Sequence, residues 1–529
     1  MTLAKDKYIL CIDLGTSGCK AAVFTIQGEC LGFEFTAVPL LLIPGGGAEQ
    51  DPKDWWTAIK QSTRQLLQNN PVLKDAIIAV SVNTQWSGTV PVDQTGNPLM
   101  NSVIWLDTRG STQIQALKKG IINIRGFGAG KLYRWIRLTG GAPGSAGKDP
   151  IAHILFIKER FPDIYQKTYK FLEVKDYINL RFTGKFLATY DSITLHWITD
   201  NRNLSKIDYH QGLLKMTGME REKFPDLVRA TDIIGTLTRE AANDLGLPES
   251  VKVVGGSPDT VAAAIGSGAV RDYEGHTYLG TSSWLSAHVP YKKVDLKTGI
   301  ASIPSAIPNR YYIATDQETA GNCLNFLRDN ILYHKDELLG EEKVPDGFKI
   351  FDRVAETAPP GSNGLIFTPW LYGERTPVDN HLIRGGWHNL SLENNRADLI
   401  RSCLEGVAFN QRWVLDAVEK YMKRELGPIN MVGGGGSSDL WCQIHADVFN
   451  RPIRQVVDPI QTNARGSAFI AAVALGEMTF DEIPDRIKIK KTYSPNPDNR
   501  KLYDERFKEF VNIYHANKGI HARLNRREK

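Results

Sequence analysis

The sequence predicts an α/β protein built of two similar domains that face each other across a cleft. Three observations carry that prediction. The tetrapeptide Leu-Gly-Thr-Ser occurs at Leu14–Ser17 and again at Leu279–Ser282, half of the 529-residue chain apart. Each copy follows an apolar run of strand character, Tyr8–Ile12 before the first and Thr277–Leu279 into the second. Strands are followed by segments of helical spacing, the pattern of a mixed α/β layer. A chain of this length exceeds one ordinary core and fits two large domains.

Taken in order, Tyr8–Asp13 reads as an apolar strand, Lys20–Thr25 as its hairpin partner and Leu31–Pro39 as a third strand. Asp51-Pro-Lys-Asp54 opens a helix whose Trp55, Trp56, Ile59, Leu66 and Leu67 lie near helical spacing. Ala76–Asn83 is a buried strand with a loop after it. Residues 110 to 235 read as an insertion of helices and loops, with flexible glycine stretches at 126–130 and 140–147. Val251–Val254 is a strand ending in Gly255-Gly-Ser-Pro-Asp259, and Val261–Gly266 is a small-residue helix. Strands restart near Thr277–His288 and Tyr311–Ala314. Helices follow at Arg396–Val418, Leu440–Val448 and Gly466–Leu475, and the strand Ile429–Val432 runs into Gly433–Gly436. The boundary is expected near 268–275, dividing the chain into 1–270 and 271–529.

Composition narrows the class. A hydrophobic share of 42% and a charged share of 23% describe a soluble globular chain. The net charge of +5 is small, and basic residues are spread out apart from the Arg523–Lys529 tail, so no nucleic-acid partner is expected. The six cysteines show no metal spacing, Lys5-Asp6-Lys7 leads directly into a strand, and no apolar run spans a bilayer. The expectation is a cytoplasmic protein with no membrane partner.

Chemistry concentrates in four places. Asp13 stands at a strand end beside the Gly15-Thr16-Ser17 turn, where a hard oxygen ligand can hold Mg²⁺ or its water and the turn can accept phosphate oxygens. An Asx-type hairpin turn is the plain alternative. Gly434, Gly435 and Gly436, with Asp439 beyond them, form a strand-to-helix glycine turn suited to a nucleotide. No Walker loop exists: Gly147-Lys148 precedes Asp149, and Ala142 occupies the earlier glycine position. Asp259 follows a strand and could accept a proton from a substrate hydroxyl, or cap the helix over Thr260–Ala263. Trp105, Asp107 and Arg109 alternate toward one strand face and could line a polyol pocket. A buried Asp107–Arg109 ion pair is the alternative there.

In this order the motifs resemble the FGGY carbohydrate kinase family, most closely its xylulokinase-like branch. The resemblance runs from about Tyr8 to Met478. It rests on Asp13–Gly18, Glu49–Pro52 with Trp55-Trp56, Trp105–Arg109, Lys175–Tyr177, Gly255–Asp259, Leu279–Ser283, Gly373–Pro377 and Gly433–Gly436. It implies two actin-like, ribonuclease-H-like ATPase domains closing over MgATP and a sugar, and a homodimer. Asp259 corresponds to the family's catalytic base and Asp13 to the acidic residue near Mg²⁺. Gly15–Ser17, Gly280-Thr281-Ser282 and Gly434–Gly436 correspond to its ATP loops. Trp105, Asp107 and Arg109 fall at its sugar contacts, with Gln85, Trp86, Ser87 and Thr260 beside them. The implied reaction moves the γ-phosphoryl of ATP to a primary hydroxyl of a ketopentose, D-xylulose first.

The chain departs from the branch at the sugar. Gln85-Trp86-Ser87 stands where many xylulokinases carry a Met-His pair, and Gly255-Gly-Ser-Pro-Asp259-Thr260 replaces the commoner Gly-Gly-Gly-Asp-Asn. Other readings are a ribulose or other small-polyol kinase, a partner-driving ATPase of actin or chaperone type, and a degenerate sensor. An ATPase has no need of the Trp105–Arg109 wall, and a sensor has no need of Asp259.

Overall fold

The computed structural model describes residues 7–332 and 347–525. Lys5, Asp6 and the last four residues of the basic tail lie outside the described residues. Two mixed sheets organise the chain. The first runs Ile233–Thr236, Lys252–Pro258, Ile77–Thr84, Tyr8–Gly15, Gly18–Thr25, Cys30–Ala37 in spatial order. The second runs Ala301–Pro304, Tyr311–Ala314, Ser283–Val289, Gly275–Leu279, Ile429–Val432, Ile453–Val456, Ile489–Tyr493.

The repeated tetrapeptide marks the same place in both. In the first sheet Tyr8–Gly15 turns back antiparallel on Gly18–Thr25, with Gly15 opposite Gly18. In the second, Gly275–Leu279 turns back on Ser283–Val289, with Leu279 opposite Ser283. Each leading strand then has a parallel neighbour on its other side, Ile77–Thr84 and Ile429–Val432 respectively. These strands are buried on both faces, which is why they read as continuous apolar runs (Ile9, Leu10, Cys11 and Ile12 are fully buried).

Local chemistry sets the helix starts. Asp51 caps the helix Pro52–Asn69 by accepting from the Lys53 N–H at 2.8 Å, with Pro52 at the first helical position. Helices Arg396–Met422, Asp439–Phe449 and Thr462–Ala474 fall where helical spacing places them: the first runs on past Val418 to Met422, the second gains Asp439 and Phe449, and the third starts earlier, at Thr462, and ends at Ala474 rather than Leu475. The strand expected at Val251–Val254 instead continues through the glycines to Pro258, because Ser257 and Pro258 still pair with Asn83 and Thr84. The insertion holds helices and short ribbons around a core of its own, including Trp135, Ile154, Phe171 and Phe224. Its glycines at 126–130 are a ribbon turn and the start of the helix Ala129–Thr139.

The halves meet through two small-residue helices, Asp259–Gly266 and Thr462–Ala474. A Cβ at Gly266 would lie 1.9 Å from the Thr462 carbonyl oxygen, and one at Gly466 would lie 1.8 Å from that of Ala262. Only glycine at both positions lets the backbones approach this closely. Asp259 opens one of these helices, so their packing sets where its carboxylate stands. No described helix is long and apolar enough to cross a membrane.

Candidate active site

Strands Tyr8–Gly15, Ile77–Thr84 and Lys252–Pro258 run parallel and deliver Asp13, Gln85 and Asp259 to their carboxyl ends. That edge is where open α/β sheets bind ligands. These residues, with Gly15, Thr16, Ser17, Trp86, Ser87, Trp105, Thr260, Thr281 and Ser282, line a cleft of about 1600 Å³. The volume accommodates more than one small ligand.

Asp259 is the first residue of its helix, and its Oδ1 accepts the Thr260 N–H at 2.7 Å. The cap position itself belongs to Pro258, so Asp259 is not the N-cap over Thr260–Ala263. Burial, then the Asp13 carboxylate, then that of Asp316 push its pKa up to about 7. Asp13 is also raised by burial, against the opposing pull of Lys20, whose Nζ stands 3.4 Å away and also donates to the Ile460 carbonyl at 2.9 Å. Two mutually repelling carboxylates at the mouth of a glycine turn fit a divalent cation. No group of three or more His, Cys, Asp or Glu among the described residues could hold a metal alone. Such a site suits Mg²⁺, which takes one or two carboxylates and completes its shell with water and phosphate oxygens.

The glycine turns of the second half lie together. Gly433, in the left-handed region at φ 82°, sits so close to Leu279 that a Cβ would meet its carbonyl oxygen at 2.6 Å. Gly435 packs on the Leu279 side chain and Trp441. The Gly434–Gly436 turn therefore adjoins Gly280–Ser282, although only Thr281 and Ser282 of the two turns line the cleft. Asp439 does not line it: its carboxylate meets Lys490 at 2.9 Å and Gln455 at 3.0 Å.

The Trp105–Arg109 segment corrects the sequence expectation. It is a turn rather than a strand, with the Asp107 N–H donating to the Ile104 carbonyl. Asp107 is fully buried and accepts from the Ala48 N–H, the Arg109 N–H and Arg109 Nε, each at 2.8–2.9 Å. Arg109 also donates to Glu49 at 2.6 Å. These two side chains fasten the turn to the hairpin Leu41–Ile43/Gly47–Gln50, and only Trp105 of the three lines the cleft. The carboxylate found backbone donors and a guanidinium closer than any open face.

That hairpin, which the sequence does not announce, brings in Gln50. Thr16 Oγ1 accepts from Trp105 Nε1 at 2.9 Å and donates to Gln85 Oε1 at 3.0 Å. Gln85 Nε2 donates to Gln50 Oε1 at 2.6 Å, as Trp55 Nε1 does at 3.2 Å. Gln50 Nε2 in turn donates to the Thr16 carbonyl at 2.9 Å and that of Pro39 at 3.2 Å. One fully buried amide thus ties the glycine turn, the Gln85 loop and Trp105 into a single frame. Gln50→Leu is expected to lower the unfolding free energy by about 2–3 kcal/mol, since several buried groups lose their partners. Urea denaturation reads it, and an unchanged midpoint would show the frame to be dispensable.

Trp86 and Ser87 are also held. Trp86 Nε1 donates to the Ser192 carbonyl at 3.0 Å, and the Ser87 hydroxyl, on a residue at φ 67°, donates to the Lys148 carbonyl at 2.7 Å. Beside them lies a charged cluster that sequence reasoning missed. Lys148 Nζ is 3.0 Å from Glu318, and Arg375 donates to Glu318 and Asp316, both at 2.8 Å. Burial raises Glu318, but Arg375 and Lys148 outweigh it and hold the carboxyl at about 2. Arg375 lies inside the Gly373–Pro377 motif, which was the available signal; Lys148 and Glu318 had none.

Comparison with known proteins follows the same outline. Residues 8–266 match the N-terminal domain of the FGGY family of carbohydrate kinases, and residues 275–475 match its C-terminal domain. The chain is 28% identical to a xylulose kinase of Staphylococcus epidermidis over 524 residues, 98% of each chain. A gluconate kinase and a ligand-bound xylulose kinase, both from Lactobacillus acidophilus, superpose with a TM-score of 0.84 at 26% identity, over 98% of this chain and 100% of theirs. The two sheets are the two actin-like domains of that architecture. With both domains of the family matched in order along its length, the chain belongs to the FGGY family of carbohydrate kinases.

Proposed function

We propose that this carbohydrate kinase transfers the γ-phosphoryl of ATP to the primary hydroxyl of a neutral ketopentose, D-xylulose first and ribulose second. The observation that carries the transfer is the placement of the Asp259 carboxyl just past the end of Lys252–Pro258, in the cleft that Asp13 and the Gly15–Ser17 turn also line. A sugar hydroxyl holds its proton far above pH 7, so Asp259 cannot remove it in advance. Asp259 orients the hydroxyl and takes the proton as its oxygen bonds to phosphorus and ADP departs. A raised pKa brings the base closer to the working pH. Asp13 would hold Mg²⁺, which neutralises charge on the transferring phosphates when bound. The N–H groups of Gly15–Ser17 and of Thr281 and Ser282 would donate to phosphate oxygens, while that of Gly280 is held by the Ser282 carbonyl at 2.9 Å.

The neutral sugar is favoured over a sugar acid by the charges beside Trp105. Lys148 and Arg375 are each already paired with carboxylates, Glu318 for the first and Glu318 with Asp316 for the second. A sugar carboxylate arriving there would meet two anions along with the two cations. Trp105 offers a flat apolar face to the C–H side of a sugar ring or chain.

The test is ADP release with MgATP across D-xylulose, L-xylulose, D-ribulose, L-ribulose, glycerol, erythritol and D-gluconate. A kcat/KM for one ketopentose at least tenfold above the rest supports the proposal. D-gluconate as best substrate would overturn the neutral-sugar reading.

A further inference from the structure

The two halves touch across the cleft through a buried charge pair that the phosphoryl-transfer chemistry does not need. Lys148 lies in the half built on the first sheet, and Glu318 in the half built on the second. Their side chains are 6% and 1% exposed. Among the described residues it is the one ion pair between the halves with both side chains buried; Lys7–Glu477 and Lys488–Glu29 lie at the surface. The ammonium also stands 5.7 Å from the ring centre of Trp105 in its own half and 5.3 Å from that of Tyr372 in the other. A cation held between an aromatic ring of each half and a carboxylate of the far half is a joint between them.

Its placement gives the joint a task. Lys148, Glu318, Trp105, Tyr372 and Arg375 all line the cleft, and the Lys148 carbonyl accepts the hydroxyl of Ser87 on the Gln85–Ser87 loop. Glu318 is held independently by Arg375, so its position does not depend on Lys148. Burying a lysine is costly, and replacing a buried ion pair by apolar groups of like size is often neutral or stabilising. Stability of either half alone therefore gives no reason for Lys148. A contact that exists only when the halves come together does.

Resting on the kinase reading above, we infer that Lys148 is a positioning residue that clasps the two halves over the bound sugar and keeps water from the transferring phosphoryl group. Water attacking the γ-phosphorus would release inorganic phosphate and ADP, in place of sugar phosphate and ADP. The clasp lowers the first outcome by keeping the cleft closed while both substrates are present. It acts through geometry and touches neither reacting atom.

The experiment compares wild type, Lys148→Met and Lys148→Arg in two readouts. Methionine is unbranched and one atom shorter than lysine, removes the charge and leaves Glu318 with Arg375, so the variant folds; a melting temperature close to wild type checks this. Small-angle X-ray scattering of the protein without substrates needs no turnover. A larger radius of gyration is expected for Lys148→Met and a return toward wild type for Lys148→Arg. With MgATP and the best sugar, the ratio of inorganic phosphate to sugar phosphate is expected to rise roughly tenfold in Lys148→Met, and to fall back in Lys148→Arg. An unchanged radius, or an unchanged product ratio, overturns the clasp. If the wild type forms no sugar phosphate, the kinase reading has failed, and the scattering comparison still decides whether Lys148 joins the halves.

Discussion

Asp259→Asn is expected to lower kcat for sugar phosphorylation by about a thousandfold, within the 10²–10⁴ range of a positioned general base, while the sugar KM moves by only a few-fold. The amide keeps the size and the bond to the Thr260 N–H but cannot take the proton. The same substitution is expected to stabilise the protein without MgATP above neutral pH. The Asp259 pKa is raised to about 7 in the fold, from an ordinary 3.8. Below pH 4 the carboxyl is protonated in folded and unfolded chains alike, and its contribution to stability is fully present. As pH rises toward 7 the unfolded chain ionises first, and that contribution is lost. At pH 8 the asparagine variant should therefore be more stable by about 1–2 kcal/mol, a figure reduced from the full shift because the carboxyl faces an open cleft. The gain should vanish below pH 4. Thermal melts at both pH values and initial rates check the pair of expectations. A variant that keeps a tenth of wild-type kcat would remove Asp259 from the role of base.

Gly466→Ala carries the largest expected cost to the fold. Its new Cβ would lie 1.8 Å from the Ala262 carbonyl oxygen, a backbone atom that cannot rotate away. The helices Asp259–Gly266 and Thr462–Ala474 would have to separate, and both pack into the core that also holds Ile9, Val254 and Phe469. A loss of about 3 kcal/mol or more is expected, at the upper end for an overpacked core, with most activity lost because Asp259 rides on the displaced helix. Gly130→Ala serves as the control: it lies in the first turn of the helix Ala129–Thr139, and a Cβ there meets nothing within 4 Å. That variant should keep wild-type activity and gain a few tenths of a kcal/mol. Equal melting temperatures for Gly466→Ala and wild type would contradict the close crossing.

How much of this was legible in the sequence follows from how local each feature is. The hairpin turns at Gly15–Ser17 and Gly280–Ser282, and the strand-to-helix step carrying Asp259, are written in a few consecutive residues, so the repeated tetrapeptide exposed the first two and the Gly255–Asp259 run exposed the third. The Trp105–Arg109 segment misled because two-residue alternation over five positions is too short to outweigh turn geometry. There the carboxylate of Asp107 satisfied the Ala48 and Arg109 N–H groups instead of facing the cleft. Asp439 misled for a similar reason: Lys490, 51 residues on, claims its carboxylate. Gln50 lay inside the Glu49–Pro52 motif, but its bonds to Gln85 and Trp55 did not show, and the Lys148–Glu318 pair gave no signal. Their partners lie 35 and 170 residues away, and such contacts depend on how a hairpin folds over a loop and how two halves meet. The glycine pair at 266 and 466 was visible as small-residue helices, but not as a crossing.

The most direct test of the central claim is ³¹P NMR of a single reaction of wild-type protein with MgATP and D-xylulose, beside a mixture without sugar. The account predicts one new phosphomonoester signal that grows in step with ADP, little inorganic phosphate, and slow ADP formation when sugar is left out. ADP and inorganic phosphate appearing together, at the same rate with or without any sugar of the panel, would contradict it and make the protein an ATPase instead.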